Sequence, residues 1–486
     1  MIKESLKIHS SCQFEVKQHV YFDKNMKSME YEVETFFFLP TALQINQYSY
    51  SASEFQRSIK NYVRLTPPTY KFHSIYEEEG LVDVLHQQLE DIYRQEIICI
   101  ADYENLLKIF SLTLKRTLRL SAKSLLKNPT KRDEEHIQAF LDSTKKSLEK
   151  YRSLAQICQK IQLKVVSQAY EYCDEYLSWV TTFYLRKILK DKDLPLRNEM
   201  SQLWYEEILY RKEHYPQSVK SSENSTEELS YRWNVIKKYV NHYLFLDIRH
   251  KKGNPILLHS LYGIAAALSM IFATMVAFMW QGKYGALSIN LFYALVLGYI
   301  LKDRIKEIGR EQLYRLFRKW IPDRRLLIYR EGIRKHIGVC KESFRFLEKS
   351  QLPEDVYNIR EKSHAITLVN GIQIENVLAY KKEVILYHPP SLFERNRYPF
   401  ADITRFNIID FLRYADNSLE ELPFIEEDET PVVGEKIYHI YVVRRYKIYD
   451  ETANELVRLG INQQGIKHLE VLQSLKFKND VVEDDE

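Results

Sequence analysis

Two uncharged runs in the middle of the chain constrain its fold more than any other feature. Ile256 to Trp280 contains no Lys, Arg, Asp or Glu, and after Gln281-Gly282-Lys283 the stretch Tyr284 to Leu301 is again uncharged. As helices, at 1.5 Å per residue, they reach about 37 and 27 Å, against a hydrocarbon core of roughly 30 Å. The pattern predicts a transmembrane hairpin over residues 251–302, with spans at 256–280 and 284–301.

Charge sets its orientation. Lys237, Lys238, Arg249, Lys251 and Lys252 precede the hairpin, and Lys302, Arg304, Lys306, Arg310, Arg315, Arg318 and Lys319 follow it, whereas the turn holds only Lys283. Cations collect on the cytoplasmic side of membrane helices, so the expectation is a multi-pass protein with two spans and both termini cytoplasmic. Five widely spaced cysteines without a CxxC fit a reducing compartment and neither a disulfide framework nor a zinc site. The N-terminus shows no secretory signal pattern.

Small residues recur every fourth position: Ala265, Ser269, Ala273 and Ala277 in the first span, Ala286, Asn290, Ala294 and Gly298 in the second. Such stripes let helix backbones approach, within one hairpin or between two chains, and Asn290 bonding to Thr274 or Ser269 would add about 1 kcal/mol. No mid-span charge is present to serve a proton relay or gate. Residues 303–322 read as a basic amphipathic helix, carrying Arg304, Arg310, Arg318 and Lys319, that lies among lipid headgroups or docks on the protein's own cytoplasmic part.

The flanks complete an α+β multidomain membrane protein. In residues 1–78, apolar residues alternate from Leu6 to Phe22, predicting one long strand or two end to end, and again from Met29 to Leu39; the two runs are expected to pair antiparallel across Asp23-Lys24-Asn25. Residues Ser53 to Val63 read as a short helix. Residues 79–250 are helical, with a seam from Leu141 to Phe183 at alternating spacings of three and four, and Thr130 as the N-cap after a break at Asn128-Pro129. This predicts either a long coiled-coil arm or a compact bundle of shorter helices. Residues 323–486 form an antiparallel β-rich cytoplasmic domain, with an Asn370-Gly371 hairpin and strands near 437–449, 456–461 and beyond Gly465.

One stripe of the helical region points to an anion. Between Glu104 and Asp133 there is no acid, while Lys115, Arg119, Lys123 and Lys127 follow at intervals of four. Like charges four apart on a helix repel by about 0.2–0.5 kcal/mol each, so an anionic lipid or an acidic protein face is the expected partner, nucleic acid being disfavoured. Lys251, Lys252, Arg304, Arg310, Arg318 and Lys319 join this candidate anion- or lipid-binding set.

The common nucleotide, metal and nucleophile motifs are absent, so no catalytic residue, metal ligand or cofactor is nominated. His364, His388, His439 and His468 are dispersed. The net charge of +4 points to no polyanion by itself. These features together lead to a non-catalytic scaffold, sensor or assembly factor at the cytoplasmic face of a bilayer, with a protein partner or homo-oligomer. The alternatives are a membrane-anchored enzyme or effector with an unrecognised site in a β-rich domain, and an oligomeric pore or transport accessory.

Overall fold

The computed structural model describes residues 2–21, 28–67, 72, 75, 80–94, 100–127, 133–220, 225–285, 289–318, 321–330, 335–362, 375–387, 399–425, 431–449 and 451–475. It is an α+β chain of two compact units: residues 1–63, 246–392 and 401–486 form the first, and residues 64–245 with 393–400 the second.

The first unit holds the strands. β1 (Ile2–Ser10) and β2 (Gln13–Tyr21) fold back on each other, with Leu6 opposite Val16 and Ile8 opposite Phe14. The alternation from Leu6 to Phe22 is therefore a tight hairpin and not one strand. After β3 (Ser28–Pro40) come α1 (Ala52–Ser58) and β4 (Ile59–Leu65), so the helix expected through Val63 is cut short. Its capping box is Ser51 with Glu54, and β-branched and aromatic residues after Ser58 favour the strand. Further along are β5 (Asp247–Lys252), β6 (Arg324–Tyr329), β7 (Gly338–Leu347), β8 (Glu375–Tyr387), β9 (Pro399–Asn407), β10 (Leu419–Ile425) and β11 (Pro431–Glu435). The last three are β12 (Tyr438–Ile448), β13 (Glu451–Asn462) and β14 (Gly465–Gln473).

Eight of these strands make one antiparallel sheet in the order β14-β13-β12-β3-β8-β7-β6-β5, and a four-stranded sheet runs β1-β2-β9-β4. β3 does not pair with the first alternating run, as the sequence suggested; it lies between β8 and β12, with Phe37 opposite Leu378 and Val442. The N-terminal and C-terminal β regions thus share one sheet. Phe14, Phe37, Leu39, Phe55, Phe344, Phe406, Ile440 and Leu459 pack together in its larger core. Phe36, Phe38, Val377 and Val443, whose parity is opposite along their strands, pack with Val356.

The second unit is helical: α2 (Leu81–Tyr93), α3 (Ile100–Lys127), α4 (Glu134–Arg152), α5 (Ala155–Lys160), α6 (Lys164–Ile188), α7 (Arg197–His214) and α8 (Thr226–Asn241). The seam that suggested a long arm is interrupted at Ser153 and again near Gln162, whose φ is 54°, so the bundle of shorter helices is what forms. Leu107, Phe110, Leu114, Leu118, Ile137, Tyr151, Cys173, Tyr176 and Leu185 are buried in it. Asp133 takes the N-cap position of α4; Thr130, the Asn370-Gly371 turn and Asp23-Lys24-Asn25 lie outside the described residues.

Between β5 and β6 the chain makes an excursion through α9 (Pro255–Tyr284) and α10 (Ile289–Phe317). Among the described residues one helix, Pro255–Lys283, is long and apolar enough to cross a membrane. α10 turns charged after Leu301 without a break, so the basic stretch expected as a separate helix continues it. α11 (Glu354–Lys362) carries Val356.

Candidate functional site

The base of the α9–α10 excursion is pinned. β5 and β6 are antiparallel, Lys252 opposite Arg324, and the Gly253 amide donates to the Asp323 carbonyl at 3.3 Å. Gly253 has a φ of 23°, and a Cβ there would come 2.9 Å from the Pro322 carbonyl oxygen, so only glycine closes this corner without displacement.

Above the base, α9 and α10 run antiparallel and present small residues to each other. Ala265 and Ser269 on α9, and Ala294 and Gly298 on α10, are buried; Ala273 and Ala277 are half-buried. A Cβ on Gly298 would sit 3.6 Å from Val276, and one on Gly309 would sit 3.6 Å from Ala265. The hydroxyls satisfy themselves within α9, Ser269 donating to the Ala266 carbonyl at 2.8 Å and Thr274 to that of Met270 at 2.9 Å. Asn290 is exposed near the turn, far along the helix from both, so the expected cross-hairpin bond does not form. Ala286 lies outside the described residues.

The outer surface of the hairpin is apolar. Phe278 is 70% exposed, Met279 68%, Leu297 63% and Phe292 62%, and Ile264, Leu268, Ile271, Met275, Leu295 and Ile300 are exposed with them. Only 17% of the most apolar stretch of α9 is buried, whereas a core helix is mostly buried. At 25 cal/mol per Å², each such residue left in water forgoes about 1.5–3 kcal/mol, and a continuous patch of this kind calls for a partner.

The candidate anion-binding residues fall on α3 of the helical unit and on β5 and α10 of the other. On α3, Arg119 and Lys123 are exposed, but Lys115 turns inward and donates to the Tyr176 hydroxyl at 2.8 Å. Burial first, then the nearby Lys237, Arg119 and Arg64, push its pKa down to about 8. Lys127 ends α3. Lys251 and Lys252 belong to β5, where Lys251 is exposed; Arg304, Arg310 and Arg318 are exposed on or just after α10. The Arg310 guanidinium lies 4.2 Å from the Tyr262 ring centre, and the Lys302 ammonium 4.2 Å from that of Tyr299. Lys319 falls outside the described residues.

Two buried polar clusters were not anticipated. In the first unit the Lys382 ammonium donates to Asp402 Oδ1 at 2.6 Å and to Thr404 at 3.2 Å, and the Tyr31 hydroxyl to Asp402 Oδ2 at 2.7 Å. Asn61 bridges to a neighbouring group in which Tyr380 donates to Glu342 at 2.6 Å and Arg324 pairs with the same carboxylate. Burial pushes the Lys382 pKa down, but Asp402, Cys340 and Glu342 together hold it above its ordinary value. A signal for this existed, because Lys382 shares strand parity with the buried Leu378, Tyr380, Val384 and Leu386. Beside Glu342, a cleft lined by Phe55, Gln56, Asp323, Arg324 and Tyr380 has room for little more than a water.

In the helical unit, Arg152 holds Glu207 with two bonds of 2.8 and 2.9 Å and reaches Asp174 at 3.3 Å. Tyr210 and Tyr215 donate to the other Asp174 oxygen at 2.8 and 2.9 Å, and Arg232 holds Glu175 with two bonds of 2.7 Å. Burial opposes the Arg152 charge, but Glu207 and Asp174 raise its pKa on balance. These ion pairs tie α4 to α6 and α7, and α8 to α6.

Of the four histidines, His439 and His468 approach to 5.6 Å between ring centres across Gly460, whose missing Cβ makes room for the His468 ring. His364 and His388 lie outside the described residues. Among the described residues, no three His, Cys, Asp or Glu side chains gather as a metal site. No protein-family model matches the chain, and neither a curated protein nor a solved structure matches it.

Proposed function

We propose that this chain is a membrane-anchored scaffold or assembly factor, held by α9 and α10 crossing the bilayer as a two-span hairpin with both flanks on the cytoplasmic side. The observation that carries the reading is the reversal of the hairpin's surface, with small residues inside and Phe278, Met279, Phe292 and Leu297 outside. In water that arrangement is unfavourable; among lipid tails it is what helix pairs require. The cations from Lys302 to Arg318, set against the single Lys283 of the turn, support the orientation.

The scaffold part of the reading is supported by charge: Arg152, Lys382 and Arg324 are engaged by buried carboxylates, while Arg119 and Lys123 are exposed on α3 for an acidic protein face or an anionic headgroup. The test is flotation of the purified chain with phosphatidylcholine vesicles, combined with a cysteine at Gly282 probed by a membrane-impermeant maleimide. Flotation with the cysteine labelled only from the side opposite tags on the two termini is the expected result. A chain that stays at the bottom of the gradient, or termini labelled from opposite sides, refutes the reading.

A further inference from the structure

Gly298 packs on Val276 and Gly309 on Ala265, each with 3.6 Å between an added Cβ and its neighbour, and both pairs belong to a single antiparallel register. That register sets Lys302 of α10 level with residue 272 of α9, and Lys283 of the turn level with residue 291 of α10. The eleven-residue interval from 272 to 283 is about 17 Å of helix. Between these two levels neither helix of the hairpin carries a charged residue. Beyond Lys302 it is one-sided: α9 still exposes Ile264, Leu268 and Ile271, while α10 at the same height exposes Asp303, Arg304, Lys306, Glu307 and Arg310.

We propose that the hairpin is built for a bilayer with a hydrocarbon core well below the usual ~30 Å. The proposal rests on the two-span reading and says which bilayer that hairpin fits. In a core of ordinary thickness, Asp303 and Glu307 would be drawn among the lipid tails, and short carboxylate side chains cannot reach back to water as lysine can. In a thin core they stay at the lower rim. There Lys302 over Tyr299 and Arg310 over Tyr262 supply the aromatic and cationic groups that prefer the headgroup layer, and the one-sided lower half lies in that layer with its α9 face toward the tails.

The full chain, reconstituted into phosphatidylcholine vesicles of short, medium and long monounsaturated acyl chains, tests this by the fraction that floats and resists carbonate extraction. The short-chain vesicles are expected to retain about tenfold more protein than the long-chain ones, since mismatch costs fractions of a kcal/mol per Å. A variant combining Lys302→Leu, Asp303→Leu, Lys306→Leu and Glu307→Leu is expected to move the maximum to longer chains. Equal retention in all three, a native maximum in the longer chains, or a variant maximum that does not move overturns the proposal while leaving the anchor standing. Retention in none overturns the anchor itself.

Discussion

The bundle α2–α8 and the hairpin α9–α10 are built from the same secondary structure and are opposite in section. In the bundle, Leu114 and Leu118 are wholly buried, and even Asp174 and Glu175 are enclosed with their partners. In the hairpin, Ala294 and Gly298 take the inside, and Leu297 between them faces out. Helix propensity does not distinguish the two; what surrounds each surface does, and on the two-span reading that is lipid for the hairpin. Water rewards the first arrangement through the hydrophobic effect, and lipid, indifferent to apolar burial, rewards close backbone packing in the second.

The contrast can be broken or sharpened by substitution. The largest effect is expected from Leu118→Ala, which should cost about 2–5 kcal/mol in urea unfolding of the detergent-solubilised chain, whereas Leu297→Ala in the hairpin should stay within about 0.5 kcal/mol in the same micelles. Equal costs would erase the distinction. Next, Glu207→Ala removes the two-bond partner of Arg152 and leaves it only the longer contact to Asp174; a loss of about 3 kcal/mol should appear in the same unfolding. A loss under 1 kcal/mol would show that the buried ions do not organise the bundle. Gly298→Leu should lower the thermal midpoint by the equivalent of about 1–3 kcal/mol, because a Cβ there already touches Val276 and the rest of the side chain must push the helices apart.

The smallest effect concerns Lys115. Its folded pKa of about 8 lies below the ~10.4 of an unfolded chain, so at neutral pH the charge is present in both states and the fold bears its desolvation. As pH rises from about 8 to 10.4 the unfolded chain holds more protons than the folded one, and native stability climbs. Lys115→Met should therefore stabilise the protein by about 1 kcal/mol at pH 7, with the advantage fading across that interval in a pH series of denaturation curves. An advantage that grows with pH would contradict the geometry.

Those parts of the fold that were readable in the sequence are the ones set by neighbours along the chain. The long apolar helix α9 was legible because its composition persists over more than twenty consecutive residues, and β12, β13 and β14 follow one another through short turns. The hairpin β1–β2 escapes the alternation for a definite reason: the turn at Ser11-Cys12 pairs Ser10 with Gln13, and a register shift between Ile8 and Ser10 then brings even-numbered residues opposite even-numbered ones, so alternation passes through undisturbed. β3 was out of reach, since Phe36 meets Ala379 and Val443, more than three hundred residues away, and no local pattern encodes such a pairing. Nothing local marks the adjacent acids Asp174 and Glu175 as buried, because their arginines arrive from α4 and α8. Lys115 was counted with a surface stripe because spacing along one helix does not report what Tyr176 of another helix brings to it.

The closed corner at Gly253 has a mechanical meaning. Because Lys252 and Arg324 face each other on one rung, tension applied through α9 and α10 along the strands would tug both from the same end, and their shared ladder would feel little of it. The force would pass to the seam between β6 and β7, where Arg324 opposite Glu342 and Leu326 opposite Cys340 resist sliding together instead of opening one after another. A tether attached in this manner would be torn out only by shearing the sheet.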